Sequence, residues 1–322
     1  MKVYCLGELL IDMIGEEDGP GGPAVFRKFA GGAAGNVAVG LAKLGMTPAV
    51  LARVGADFFG AFLLDTLKHY GVDISAIVRD PQRRTTLAFV THDASRKPSY
   101  LFYRENSASA AFCLEDLRDI RFTAEDALYL SSLPLAHEPI RTASFEALRR
   151  ADEAGAVVVF DPNIRLSVWQ SAEEVRAQVF RALPFVRLLK VNDDELRFLF
   201  GDGPFEALCQ RALERFPKLE LVAVTLGEKG ALLANRAGTL VSVPAVDLPV
   251  VDTCGAGDTF CATMLYMYHT QGIAGAAALR RLGVYANSAA HLTSMREGVI
   301  PAMPLPDQID AFIRKYHAGT TL

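Results

Sequence analysis

The chain has 322 residues, 51% of them hydrophobic, and a net charge of −4. That length and composition provide for a large buried core, and the scattered Lys and Arg exclude nucleic acid and anionic membrane as expected partners. Five cysteines (Cys5, Cys113, Cys209, Cys254, Cys261) form no C-x-x-C pair. With no leader-like start and no apolar run of bilayer-spanning length, they suit a cytoplasmic protein rather than a disulfide scaffold or cysteine zinc site.

Residues 2–11 read as one continuous apolar strand buried on both faces, ended by Asp12 and a Gly- and acid-rich loop from Gly15 to Gly22. A short mixed stretch, Val25 to Ala30, leads to Gly31-Gly32-Ala33-Ala34-Gly35-Asn36. Val37 to Leu44 is predicted helical and Ala49 to Val54 a strand. Asp57 caps a helix whose Phe58, Phe62, Leu63 and Leu67 share one face up to Gly71. Thr85 to His92 and Ser99 to Arg104 alternate polar and apolar residues around the turn Asp93 to Pro98, predicting an antiparallel hairpin exposed on one face. That hairpin and the Val25 stretch form a small sheet standing off the main body.

From Ala127 the pattern alternates. Strands are expected at 127–131, 157–161, 188–192, 221–225, 231–234 and 240–246, and helices at 139–154, 172–183, 193–200, 205–216, 260–271 and 273–292. Such alternation predicts an α/β fold with a doubly wound, mostly parallel sheet. No linker is visible, so residues 1–322 are read as one domain, with a small β-sheet lid from about 13–30 and 84–107.

Ligands of such sheets sit beyond the carboxyl ends of the strands. Asp12, Asp161, Asn163, Arg165, Asn192, Glu195, Thr225 and Gly227 all fall at predicted ends. Val251-Asp252-Thr253-Cys254-Gly255-Ala256-Gly257-Asp258-Thr259-Phe260 joins a strand to a helix whose Phe260, Met264, Leu265 and Tyr268 repeat at helical spacing. Its glycines leave backbone N–H groups uncovered at a helix start, a site built for an anion. Asp258 there serves either as an N-cap alone or as a carboxylate that takes a hydroxyl proton while phosphoryl transfers over the turn. No G-x-x-x-x-G-K-[ST], H-R-D with D-F-G, G-x-S-x-G or H-E-x-x-H occurs, and no G-x-G-x-x-G follows the first strand.

The two glycine stretches, with Gly45 and Gly55 after the first, resemble the two signatures of the ribokinase-like (PfkB) carbohydrate kinases, and Asn192-Asp193-Asp194-Glu195 resembles that family's N-x-x-E element. The resemblance covers nearly the whole chain. It implies an ATP- and Mg²⁺-dependent transfer to a sugar hydroxyl, with Asp258 as base and Gly255, Ala256 and Gly257 as anion hole. Asp12, Gly31, Gly32 and Asn36 would hold the sugar, with Tyr103 and Arg104 from the lid and Arg165. Asn192, Thr225, Gly227, Gly230 and Asn287 would line the nucleotide. Glu195 would act on Mg²⁺ through water, and Asp252 with the Arg296–Gly298 backbone would offer a monovalent cation (K⁺) site. Cys254, Thr263 and Ala302 depart from the residues usual at their positions.

The stretches Phe102–Ala108, Asp161–Trp169 and Gly298–Pro304 resemble fructokinases. The rival substrate is 2-keto-3-deoxygluconate, whose carboxylate an Arg104 guanidinium would pair with bidentately. A nucleoside kinase ranks lower, and a non-enzymatic sugar sensor is the alternative of another class. An apolar face on the small sheet also predicts a homodimer formed through the lid.

Overall fold

The computed structural model describes residues 1–16, 22, 25–92 and 98–317. Most of the Gly15–Gly22 loop and of the Asp93–Pro98 turn lies outside the described residues. The first half runs β1 (Val3–Leu6), β2 (Leu10–Gly15), β3 (Phe26–Gly31), α1 (Ala33–Lys43), β4 (Pro48–Gly55), α2 (Phe58–His69), β5 (Ile77–Asp80), β6 (Thr86–His92), β7 (Pro98–Tyr103) and β8 (Ala127–Ser131). Then come α3 (Ile140–Glu153), β9 (Val157–Asp161), α4 (Ala172–Ala182), β10 (Leu188–Asn192), α5 (Asp193–Phe200), α6 (Phe205–Arg215) and β11 (Leu221–Thr225). The chain closes with β12 (Ala231–Asn235), β13 (Leu240–Val243), α7 (Ala256–Gln271), α8 (Gly275–Ser294), α9 (Val299–Ala302) and α10 (Pro306–Tyr316).

Nine strands form one sheet in the order β13-β12-β11-β10-β9-β8-β1-β4-β5, parallel except at β12 and β13. Along β1, Val3 and Cys5 join one hydrophobic layer while Tyr4 and Leu6 join the other. Helices α1, α2, α7 and α8 cover the first face and α3 to α6 the second. Strand order reverses at β1, whose neighbours are β4 and β8, so the switch-point crevice opens there. No helix among the described residues is long and apolar enough to cross a membrane.

The strand read as continuous over 2–11 is instead two. Gly7 and Glu8 interrupt it: β1 stays in the large sheet, while β2 enters a separate four-stranded sheet ordered β3-β2-β6-β7. Apolar character alone could not reveal the break, because both strands bury their side chains. Asp12 therefore lies within a strand of the small sheet rather than at the end of one in the large sheet. Two helices also start earlier than their apolar spacing indicated, α1 at Ala33 and α7 at Ala256, because the first turn of each is made of small residues without a hydrophobic signal.

Helices α1 and α7 pack closely because Gly40 has no side chain: a Cβ there would lie 2.9 Å from that of Ala262. This contact sets the relative position of the two glycine stretches. Gly40→Leu is expected to destabilise the protein by about 1–3 kcal/mol through overpacking, measured by urea unfolding, and to lower any turnover by moving α1 away from α7.

Candidate active site

The site begins at the first turn of α7. Gly255, at φ 75°, is the N-cap, and Ala256, Gly257 and Asp258 form the first turn. Asp258 is thus not the cap the sequence suggested but the third helical residue. A left-handed residue was needed to enter the helix, and Gly255 supplies it. The turn packs tightly: a Cβ on Gly255 would lie 2.1 Å from Val299 Cγ1. The Gly257 and Asp258 N–H groups, having no partner within the helix, project with the positive end of its dipole toward the crevice.

Asp258 is buried, and its Oδ2 accepts a hydrogen bond from Asn36 Nδ2 at 2.8 Å. Asn36 comes from the first turns of α1, whose N-cap is Gly32 at φ 96°. The amide's other atom, Oδ1, is buried without a protein partner. Burial raises the Asp258 pKa, while the Asn36 bond and the charges of Lys190 and Arg165 oppose the rise.

Asp12 faces this pair from β2. A Cβ on Gly31 would lie 1.9 Å from its Oδ2, so the glycine is what lets the carboxylate lie against β3. Burial, then the Asp258 and Glu8 charges, push the Asp12 pKa up to about 7, and Arg165 opposes them. Arg104, one residue past β7, is buried; its Nη2 donates to the Leu133 carbonyl at 3.3 Å, while Nε and Nη1 have no protein partner.

Tyr103 is not brought to this cluster. Cross-strand pairing puts Phe29, Asp12, Ala88 and Phe102 in one row of the small sheet and Ala30, Ile11, Leu87 and Tyr103 in the next. Tyr103 therefore shares the opposite face from Asp12 and is 61% exposed. Strand alternation separates it from its neighbours Phe102 and Arg104.

A second group of predicted residues lies along the ends of β10 and β11. Asn192 and Thr225 are register partners. Asn192 Oδ1 accepts from the Glu195 N–H at 2.8 Å and Glu195 Oε2 accepts from the Asn192 N–H at 2.9 Å, a capping box on α5. The other Glu195 oxygen accepts from the Ile164 N–H at 2.7 Å. Gly230 lies against the chain after β13, where a Cβ would meet the Val243 carbonyl oxygen at 2.0 Å. Asn287 Nδ2 donates to that same carbonyl at 3.3 Å, while Gly227 has open space around it. Asp252 Oδ1 accepts from the Cys254 N–H at 2.9 Å, and the Val251 and Asp252 N–H groups both donate to the Ser294 carbonyl. Thr263, unusual at its position, satisfies its buried hydroxyl on the Thr259 carbonyl at 2.8 Å.

Two residues of the cluster were not singled out from the sequence. Glu8 is buried between β1 and β2 with Oε2 unpartnered; burial raises its pKa, and the Arg104 charge opposes the rise. Lys190 is buried within β10 and donates to both oxygens of Asp161 at 3.0 and 3.2 Å. Each had a visible signal, a charge inside an otherwise apolar run.

A buried acid over an anion-holding helix start, at the switch point of a doubly wound sheet, is the arrangement of a small-molecule kinase. Residues 1–306 match the pfkB family carbohydrate kinase model, and the chain belongs to that family. Probable fructokinase-4 of Arabidopsis thaliana is 33% identical over 320 residues, covering 97% of this chain and 96% of that protein. A Vibrio cholerae O395 fructokinase solved with fructose, ADP and calcium ion superposes with a TM-score of 0.86 at 33% identity, covering 97% and 98% of the two chains. Aminoimidazole riboside kinase of Salmonella enterica, solved with its riboside and an ATP analog, gives 0.82 at 28% identity, covering 97% of each.

The raised pKa of Asp12 carries a stability consequence. The folded state holds this proton more tightly than the unfolded chain, so stability falls as pH rises from about 4 and the loss is complete above about 7. Asp12→Asn is expected to stabilise the protein at pH 8 by up to about 4 kcal/mol, with no gain at pH 3.5, as read from urea unfolding at both pH values.

Proposed function

We propose that the chain is an ATP-dependent fructokinase, working as one domain over residues 1–322 with the small sheet as a lid over the acceptor sugar. The observation that carries this reading is the Asp258 carboxylate, fixed by Asn36 over the uncovered N–H groups of the α7 start. Asp258 takes the proton of the acceptor hydroxyl. The hydroxyl oxygen bonds to the γ-phosphorus of ATP as the bond from phosphorus to the ADP oxygen breaks. The Gly257 and Asp258 N–H groups, with that of Gly255, give the developing charge backbone donors; the Ala256 N–H, expected to join them, already donates to the Thr253 carbonyl at 3.3 Å.

The orphaned buried atoms support a polyhydroxy acceptor. Asn36 Oδ1 and Glu8 Oε2 lack donors, while Arg104 Nε and Nη1 lack acceptors, and a sugar hydroxyl supplies either. Asp12 accepts from hydroxyls beside Gly31 and Gly32, and Arg165 adds positive charge near both acids. Asn192, Thr225, Gly227, Gly230 and Asn287 line the nucleotide. The relatives named fructokinase, and the Vibrio cholerae enzyme solved with fructose and ADP, favour fructose over other sugars.

Glu195 fits an outer-sphere role toward Mg²⁺: each carboxylate oxygen accepts one backbone N–H and retains lone-pair capacity for a metal-bound water. When bound, Mg²⁺ neutralises phosphate charge as the γ-phosphoryl group leaves. Asp252 and the 296–298 backbone, all oxygen donors, fit K⁺; a form of the Vibrio cholerae fructokinase was solved with potassium ion. Thiols rather than disulfides at the five cysteines suit a reducing cytoplasm.

The outer face of the small sheet supports a homodimer. Phe89 packs edge-on to Phe26 and Tyr103, and Leu101 beside them is 59% exposed. A second copy covers this face, and Leu101→Asp is expected to convert a dimer to a monomer in sedimentation velocity.

The two unpartnered Arg104 donors also favour a second reading, an acceptor carrying a carboxylate such as 2-keto-3-deoxygluconate. Both readings are tested by ATP-dependent phosphorylation of each compound beside Asp258→Asn. Fructose turnover that falls roughly 10²–10⁴-fold in the variant is the expected result. Turnover of the keto acid alone assigns Arg104 as a carboxylate clamp. Phosphorylation of neither compound, with both still bound, would make the protein a sensor.

A further inference from the structure

Beneath the first turn of α7 lies a charge pair that the reaction above leaves unused. Lys190 is the one charged residue in β10, between Leu189 and Val191, and is only 5% exposed. Its ammonium donates to both oxygens of Asp161, the last residue of the neighbouring strand β9. Placing two charges in a sheet interior costs desolvation that their attraction often does no more than offset, and well-packed apolar residues would serve stability as well. Stability alone gives no reason for the pair.

Its position does. A Cβ on Gly257 would lie 2.9 Å from Lys190 Nζ, so the ammonium packs against the bare Cα of this glycine, one residue before Asp258. We propose that Lys190, held in place by Asp161, is a positioning residue for phosphoryl transfer: its fixed charge under Gly257 favours the carboxylate form of Asp258 and strengthens the anion-holding turn. The inference rests on Asp258 being the base.

The surroundings of Asp258 show why such a charge is needed. Three carboxyl groups face it and disfavour a further negative charge: Asp12 from β2, Glu8 from the β1–β2 connection and Asp161 from β9. Tyr129 of β8 and Cys261 of α7 also face it, and burial keeps both un-ionised. Opposing the acids are Arg165, on the loop after β9, and Lys190. Lys190 stays protonated because Asp161 and Glu195 both attract its charge.

The test compares the single-turnover phosphoryl-transfer rate against pH in the wild type, Lys190→Met and Asp161→Asn. Removing the ammonium should shift the acid limb upward by roughly one pH unit or more, because Asp258 then loses an opposing charge. Asp161→Asn removes a carboxylate but leaves Lys190 facing Glu195, so the limb should shift downward. Loss of rate with an unmoved limb in both variants would overturn the inference and leave the pair a structural role. Asparagine preserves the shape of Asp161 and an acceptor for Lys190, so this arm stands even if Lys190→Met fails to fold; an unmoved limb in it alone counts against the proposal. Wild-type turnover of fructose tests the parent reading separately, since the profiles are recorded on whichever sugar the wild type phosphorylates. If it phosphorylates none, Asp258 is not a base and this inference falls with it.

Discussion

One buried hydrogen bond, from Asn36 to Asp258, joins residues 222 positions apart and holds together the two glycine stretches of the chain. It exists only because α1 and α7 approach until Gly40 meets Ala262. That approach aims both helix starts, each entered through a glycine with positive φ, at the same crevice. Two helix N-termini converging on one space favour negative charge there, which suits phosphate and carboxylate chemistry. The large sheet supplies the crevice, since the strand order reverses at β1.

The same crevice collects acids. Glu8, Asp12, Asp161 and Asp258 lie within one another's electrostatic reach, and burial raises the proton affinity of each. Such a cluster lowers folded-state stability at neutral pH, so it persists for reasons other than folding. Arg104, Arg165 and Lys190 enter from the small sheet, the loop after β9 and β10, and offset it from three directions. The result is a site with both signs of charge and several unsatisfied hydrogen-bonding atoms, a surface that a neutral polyol and an anionic nucleotide can complete together.

Glycines in this site act through space they leave empty. Gly31 admits the Asp12 carboxylate, Gly257 admits the Lys190 ammonium, and Gly230 admits the backbone after β13. In each case a methyl group would fall on a neighbouring polar atom. The glycine pattern of the sequence is therefore a record of close approaches, and the partner in each approach comes from a distant part of the chain.

Local pattern was enough for much of this. Alternating strand and helix periods determined the doubly wound parallel sheet, because each βα unit buries its apolar face in only one way. The Gly255–Asp258 stretch was readable as an anion-holding turn from residue type, whereas Gly31–Asn36 took its expected sugar-binding role only from the family resemblance. Tertiary structure decided the rest. Whether residues 2–11 made one strand or two depended on which sheet each half could join, and apolar character is identical in both. Tyr103 and Arg104 are adjacent in sequence, yet strand alternation sends Tyr103 outward while Arg104 is buried toward the site. Glu8 and Lys190 stood out as charges in apolar runs, but their meaning required knowing which backbone and which acid lay opposite them. Periodicity records the face a side chain takes within its own element; the partner it meets across the crevice is set by packing between elements that the sequence keeps far apart.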